Sequence, residues 1–172
     1  ICNFSKSKRF VEYDKLKDLL KIDKKNSKYV AVLVGPFKDD ILEKIQYLPF
    51  DYYQIYDCTP DEIKKIKQKY NKKIISAITV SNKDDIKRYK DFEDIADILL
   101  FDSKGYERSE SFNHEFLNNI NTSKPIMIAG DIKTNDLNNF KDKPFWIDAS
   151  GNLESEKGVK DINKIDKFLN TV

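Results

Sequence analysis

One stretch of the sequence decides the fold class: Ile147-Asp148-Ala149-Ser150-Gly151-Asn152-Leu153-Glu154-Ser155, followed by Gly158-Val159-Lys160-Asp161. It is typical of a buried strand whose polar end turns into a loop of small residues, with a helix beginning near Asp161. Small residues let a backbone approach a phosphate closely, and the N–H groups of such a turn can donate hydrogen bonds to an anion. The stretch therefore predicts a phosphate-binding turn between a strand and a helix.

The composition is that of a soluble globular protein. The chain has 172 residues, of which 40% are hydrophobic and 35% charged, so we expect one domain over residues 1–172. Its 31 basic and 29 acidic residues are interspersed, which argues against a nucleic-acid partner. No apolar run is long enough to cross a bilayer, and two cysteines make no disulfide framework. We expect a cytoplasmic protein with no membrane partner.

Short apolar runs alternate with charged segments of helical period along the whole chain. The predicted strands are residues 29–34, 52–56, 73–79, 97–101, 125–129 and 145–149, with residues 1–4 as the stub of another. The predicted helices are residues 12–21, 39–48, 61–70, 84–90, 112–120 and 161–169. Repeated strand–helix units without hairpin signals predict a parallel α/β sheet. Periodicity alone leaves open whether that sheet closes into a barrel or forms an open doubly wound layer.

Asp102 is the first candidate catalytic residue, because it directly follows the apolar run Ile98-Leu99-Leu100-Phe101. Ligand groups collect at the carboxyl ends of parallel strands. A partly desolvated carboxyl there has a raised pKa, which suits a general acid. The alternative is an Asp that caps the next loop through Ser103 or Lys104. The residues alone leave both interpretations open.

Several segments resemble the phosphoribosylanthranilate isomerase family, in the same order along the chain. The opening stretch resembles the family's Val-Asp-Val-Ser-Ser-Gly-Val-Glu followed by Gly-Val-Lys-Asp. Residues 98–104 resemble its Leu-Leu-Leu-Asp-Ser-Lys, and residues 5–11 its Pro-Lys-Ser-Pro-Arg-Tyr-Val. Residues 32–36 resemble its Val-Phe-Val-Asn-Pro, and residues 125–130 its Pro-Ile-Ile-Leu-Ala-Gly-Gly. Together these matches cover nearly the whole chain.

The resemblance implies a parallel β/α (TIM-type) barrel and an aldose–ketose isomerase of tryptophan biosynthesis. Such an enzyme rearranges an aminoaldose phosphate, so a small phosphosugar is the expected ligand, with no cofactor and no metal. By the same resemblance Asp102 is the general acid, and Arg9 places the anthranilate carboxylate. The resemblance also implies that Gly130, Ser150 and Gly151 bind the phosphate.

The amino-terminal part is expected to be incomplete. The family's catalytic base is the Cys of Lys-Ile-Cys-Gly on the first strand, but only eight residues precede Arg9 here. A barrel of this kind usually needs about 200 residues. Either the first strand and helix lie upstream, or one unit is lost and Cys2 of Ile1-Cys2-Asn3 takes the place of the base. The alternative for Cys2 is a small buried hydrophobic residue. We expect the open edge to be covered by upstream residues, a helix, or a second chain, as in a homodimer.

Other departures from the family pattern affect the site. Asp131 replaces the second glycine of the phosphate turn, where a carboxylate repels a phosphate unless it points away. Gln54-Ile55-Tyr56-Asp57 stands where the family has Gln-Leu-His-Gly, and His114 takes the position of a Trp. We expect His114 to be a packing or surface residue. Two alternatives to the isomerase therefore stay open: a non-catalytic relative that binds a phosphorylated ligand or a partner protein, and a barrel enzyme acting on another phosphosugar.

Overall fold

The computed structural model describes residues 1–104 and 111–171. They form two compact units. The first comprises residues 1–77 and 90–98, and the second residues 78–89 with the described part of 99–171. The expectation of a single domain over residues 1–172 stays a prediction.

The first unit is built from parallel strands that alternate with helices. Its elements are α1 (Tyr13–Leu19), β1 (Val30–Val34), α2 (Ile41–Ile45), β2 (Tyr52–Tyr56), α3 (Pro60–Tyr70) and most of β3 (Lys73–Val80). Strand β1 pairs with β2, with Val30 opposite Tyr52, and β2 pairs with β3, with Tyr52 opposite Lys73. The strands are apolar on both faces, as parallel strands covered on both sides require.

Local sequence signals explain where these elements begin. Helix α3 starts at Pro60 because Thr59 accepts a hydrogen bond from the Glu62 N–H, and the Glu62 carboxylate accepts one from the Thr59 N–H. The carboxylate of Asp97 fixes the start of β3 by accepting from the Ile74 N–H at 2.7 Å and from Lys67 Nζ at 2.9 Å. The unit's buried residues include Ala31, Leu33, Tyr53, Ile55, Ile63, Ile66, Ile74 and Ile75.

The second unit repeats the parallel pattern, and two of its three strands have only three residues. Its strands are β4 (Ile98–Ser103, apart from the first residue), β5 (Ile126–Ile128) and β6 (Phe145–Ile147), and most of the helix α4 (Tyr89–Phe92) that precedes them in the chain belongs to the first unit. Strand β4 pairs with β5, with Leu99 opposite Ile126, and β5 pairs with β6, with Ile126 opposite Phe145. The unit ends in an antiparallel hairpin of β7 (Glu154–Glu156) and β8 (Val159–Lys160), followed by α5 (Ile162–Leu169). Its 3-10 helices are Lys83–Arg88, His114–Asn119, Thr134–Asn139 and Gly151–Leu153.

The six predicted strands are confirmed, as are the start of α3 at Pro60 and that of α5 after Asp161. The strand predicted at residues 1–4 is wrong. There a single backbone bond from the Cys2 N–H to the Val32 carbonyl is followed by side-chain bonds, since Asn3 Oδ1 accepts from the Val34 N–H and Asn3 Nδ2 donates to the Val34 carbonyl, both at 2.9 Å. The helix predicted at residues 112–120 is a 3-10 helix, which begins where the Asn113 side chain accepts from the Glu115 N–H. The β7–β8 hairpin was not predicted.

Within the described ranges, every helix is too short or too polar to cross a bilayer.

His114 packs inside the second unit. Its ring lies between those of Phe112 and Phe140, with centroid distances of 4.5 Å and 5.1 Å. Its Nε2 is buried and has no hydrogen-bond partner among the described residues. Burial lowers the pKa of His114 from its ordinary value, because loss of hydration penalises the imidazolium form.

Replacing His114 with Phe is expected to reduce the pH dependence of stability. Since the folded pKa is depressed, the wild-type contribution is complete above the unfolded pKa. It is lost as the pH falls from there through the folded pKa. The free energy of unfolding, measured in urea at pH 7 and pH 5, should therefore drop less for His114→Phe than for the wild type. His114 is the only histidine of the chain, so no other imidazole contributes. An equal drop in both proteins would show that His114 titrates as it does in water.

Candidate functional site

The carboxyl end of β4 carries Asp102 as the second-last residue of the strand. Successive side chains of a strand point to opposite faces, so Asp102 shares a face with Leu100 and the opposite face carries Phe101 and Ser103. All three of those neighbours are buried, whereas Asp102 is half-buried. The strand therefore presents a single carboxyl group at its end, on an otherwise apolar stretch of chain.

The turn after β5 packs directly against this strand end. Gly130 has φ +94°, and a Cβ atom on it would lie 2.6 Å from Ser103 Oγ and 2.9 Å from the Ser103 nitrogen. No side chain fits at that distance, and an L-residue rarely adopts that backbone conformation. The glycine thus allows the backbone of this turn to touch the residue that follows Asp102.

The ends of β4, β5 and β6 stay hydrogen-bonded beyond the strands themselves. The Ala129 N–H donates to the Phe101 carbonyl at 2.9 Å, and the Asp148 N–H donates to the Ile128 carbonyl at 2.8 Å. The turn that follows, Ser150 and the 3-10 helix Gly151–Leu153, is therefore tied to the turn at Gly130. The second unit brings together four of the predicted site residues: Asp102, Gly130, Ser150 and Gly151.

Two side chains join the Gly130 turn to the Ser150 turn. Asp131 has φ +55°, and its Oδ1 accepts a hydrogen bond from Asn152 Nδ2 at 2.9 Å. The same Asn152 nitrogen donates to the Ile132 carbonyl at 3.0 Å. The other carboxylate oxygen of Asp131 lies 3.4 Å from Lys133 Nζ. Both oxygens of the carboxylate consequently have a partner.

Lys160 holds the Ser150 turn from the β7–β8 hairpin. Its Nζ donates to the Ser150 carbonyl at 2.9 Å, to Ser150 Oγ at 3.0 Å and to Glu154 Oε1 at 2.8 Å. The Glu154 side chain is only 4% exposed, and its Oε2 accepts from the Gly158 N–H at 3.0 Å. Sequence reasoning assigned no role to Asn152 or Lys160. Lys160 lies in the quoted Gly-Val-Lys-Asp segment, so a signal for it was present.

A cleft of about 260 Å³ opens beside these turns. Its lining residues are Lys133, Thr134, Asn135, Asn152, Lys164 and Lys167. Lys133 is paired with Asp131, and Lys164 and Lys167 add two further ammonium groups, which attract anions toward the turns.

Cys2 and Arg9 belong to the first unit. Cys2 is buried, and its N–H donates to the Val32 carbonyl at 2.9 Å. Burial raises the pKa of the Cys2 thiol, because the thiolate loses its hydration. Arg9 is half-buried in a turn where its N–H donates to Ser7 Oγ at 3.1 Å. Among the residues described, no group of three or more His, Cys, Asp or Glu side chains is arranged to hold a metal ion.

Comparison with known proteins agrees with this geometry. The family model of N-(5'phosphoribosyl)anthranilate (PRA) isomerase matches residues 1–171. The chain belongs to the phosphoribosylanthranilate isomerase family. It is 31% identical to the isomerase of Rhizobium etli over 179 aligned residues, which cover 98% of this chain and 81% of that protein. It is 29% identical to the isomerase of Sulfurihydrogenibium over 100% of this chain and 86% of that protein.

Solved structures of the family share the fold. The isomerase of Thermotoga maritima superimposes with a TM-score of 0.81 at 22% identity, over 96% of this chain and 82% of that one. The isomerase of Thermus thermophilus gives 0.81 at 16% identity, over 97% and 82%. The expected parallel β/α-barrel class and the expected isomerase family of tryptophan biosynthesis are thereby confirmed.

Gly130→Ala is expected to destabilise the protein. The added methyl group meets Ser103, and alanine is strained at φ +94°. Backbone effects of this kind cost roughly 1–3 kcal/mol. Urea unfolding of Gly130→Ala should show a loss of at least that order. Gly151→Ala is the matched control, because Gly151 begins a 3-10 helix and should tolerate a Cβ with little loss. Equal stability of both variants would contradict the close packing at Gly130.

Proposed function

We propose that this chain catalyses the Amadori rearrangement of N-(5'-phosphoribosyl)anthranilate, with Asp102 as the general acid. The observation that supports this most is the contact between Gly130 and Ser103. It places a turn that resembles the family's phosphate-binding turn directly against the strand end that carries Asp102. A phosphate bound at the turn keeps the sugar within reach of one carboxyl group.

The reaction needs one acid and one base. Asp102 donates a proton to the furanose ring oxygen, and the C–O bond opens to give an iminium ion. A base then removes the proton from the adjacent carbon, and the resulting enolamine tautomerises to the ketone. A carboxyl group suits the first step because it can donate a proton, and Asp102 is half-buried at the end of a strand, where ligand groups of such folds collect.

The two ends of the substrate are both anionic. One solved family structure contains reduced 1-(o-carboxyphenylamino)-1-deoxyribulose 5-phosphate, with a TM-score of 0.80 and 21% identity. We assign the phosphate of the corresponding substrate to the backbone N–H groups of Gly130, Ser150 and Gly151. We assign the carboxylate to Arg9, whose guanidinium can form a charge-assisted contact. The lysines beside the turns, Lys133, Lys164 and Lys167, increase the local concentration of such a dianion.

The base is assigned to Cys2 by resemblance, and the packing alternative is kept beside it. A thiol acts as a base only when it is ionised, and burial raises the pKa of Cys2. Catalysis through Cys2 therefore requires a rate that increases at high pH. If Cys2 is a packing residue, the rate does not depend on its ionisation.

For assembly and location we propose a homodimer in the cytoplasm. The support for a dimer is a match, with a TM-score of 0.79, to monomers generated from the dimeric isomerase of Thermotoga maritima. The two free cysteines, one buried and one half-buried, fit a reducing compartment.

Asp102→Asn should abolish turnover and leave the fold intact, since the amide keeps the shape of the acid but cannot donate the proton. General acid–base steps contribute about 10²–10⁴-fold, so kcat should fall by that order.

Arg9→Ala should mainly raise KM, because its proposed role is positional. The decay of substrate fluorescence with full-length protein measures both. If the wild type itself shows no decay, the non-catalytic relative that binds a phosphorylated ligand becomes the better account.

Cys2→Ser separates the two interpretations of Cys2. If Cys2 is the base, kcat should fall sharply, and kcat/KM of the wild type should still be increasing above pH 9, the ordinary pKa of a thiol, because burial raises this one. Cys58→Ser is the matched control, since Cys58 has no assigned role. A wild-type rate retained by Cys2→Ser would identify Cys2 as a packing residue.

A further inference from the structure

Asp131 and Asn152 lie on the two turns to which the proposed function assigns the phosphate. In the family segments quoted above, both positions are glycine. Here both carry polar side chains, and these side chains are hydrogen-bonded to each other at 2.9 Å across 21 residues of sequence. Because the two replacements contact each other at the proposed phosphate site, the effect of one is expected to depend on the other.

Asp131 presents an electrostatic problem. A carboxylate close to a phosphate dianion repels it, and the repulsion grows steeply as the distance shortens. The Asp131 side chain is 38% exposed, so packing alone does not fix its direction. Without a restraint, the carboxylate can rotate among its staggered positions.

Asn152 supplies the restraint. Its amide nitrogen has two hydrogens, and both are used: one on Asp131 Oδ1 at 2.9 Å and one on the Ile132 carbonyl at 3.0 Å. The second bond anchors the amide to the backbone of the same turn, so the amide is a fixed donor. Lys133 Nζ, 3.4 Å from Asp131 Oδ2, compensates the remaining charge.

We propose that Asn152 is a positioning residue for phosphate binding. Its amide, together with Lys133, keeps the Asp131 carboxylate in one orientation, so that the carboxylate does not turn toward an anion bound by Gly130, Ser150 and Gly151. This inference rests on the proposed function, since it takes these three residues as the phosphate-binding groups. Asn152 itself does not touch the phosphate.

The test is a double-mutant cycle that uses ribose 5-phosphate and inorganic phosphate as probes in calorimetry. Asn152→Ala should bind both at least about tenfold more weakly than the wild type, because it frees a hydrogen-bonded charge. Asp131→Gly should bind more tightly than the wild type. Adding Asn152→Ala to Asp131→Gly should then cause no further loss. Asn135→Ala is the matched control, since Asn135 lines the same cleft without contacting Asp131.

Further readouts separate positioning from a structural role. With phosphoribosylanthranilate, Asn152→Ala should raise KM and leave kcat unchanged, whereas a collapsed turn would raise KM and also lower kcat. Thermal unfolding reports whether the variant folds. Asn152→Asp keeps the shape of Asn152 but adds a second carboxylate, and it should bind phosphate even more weakly. If Asn152→Ala does not fold, the comparison is made with Asn152→Asp in both backgrounds.

Two outcomes overturn the proposal. One is that Asn152→Ala binds phosphate as tightly as the wild type. The other is that Asn152→Ala weakens phosphate binding by the same factor whether residue 131 is Asp or Gly. The proposed isomerase function fails in a different way, through absent turnover with phosphate binding intact. A wild-type protein that binds neither probe would overturn both.

Discussion

The candidate site depends on the close approach of Gly130 to Ser103. A Cβ at residue 130 would lie 2.6 Å from Ser103 Oγ, so the contact exists only because that atom is missing. It fixes the turn after β5 against the last residue of β4, one residue from Asp102. The Ala129 N–H donates to the Phe101 carbonyl and the Asp148 N–H to the Ile128 carbonyl. These bonds continue the strand pairing as far as the turn at Ser150. Because Gly130 has no Cβ atom, its turn packs one residue from Asp102, and the backbone bonds connect that turn to the turn at Ser150.

The strands could be predicted from the sequence because their signal is local. Runs such as Ile98-Leu99-Leu100-Phe101 are apolar at every position and only a few residues long, which is typical of buried parallel strands. The 3-10 helices are harder to predict, since the same kind of side-chain cap begins both types: Asn113 caps a 3-10 helix and Asp161 caps α5. The β7–β8 hairpin lacks the Asn-Gly or Asp-Gly signature that marks tight turns. It depends instead on Glu154, which accepts from the Gly158 N–H and from Lys160.

Part of the site could also be predicted, because the signal for those residues is local in the sequence. Asp102 and Gly130 directly follow apolar runs, so a rule about the ends of parallel strands finds them. Asn152 and Lys160 act through bonds to residues 131 and 150, and no periodicity in the chain reports such pairs. For Cys2, the sequence shows that a thiol is present but does not show what surrounds it in the fold. The buried position beside Val32, which raises the pKa, is visible only in three dimensions.

The carboxylate at residue 131 shows how an anion-binding turn can contain an acid. Asp is one of the few side chains that tolerate φ near +55°, so replacing glycine there costs little in backbone strain. The remaining cost is electrostatic, and it depends on where the charge is held. Asn152 and Lys133 each take one oxygen of Asp131, and Lys160 is paired with the buried Glu154. Lys164 donates to the Glu154 backbone carbonyl, so its positive charge stays uncompensated by that contact. Asp131 and Glu154 are thus each held by a lysine, and Lys164 and Lys167 at the cleft are the ammonium groups left to attract an anion toward the turns.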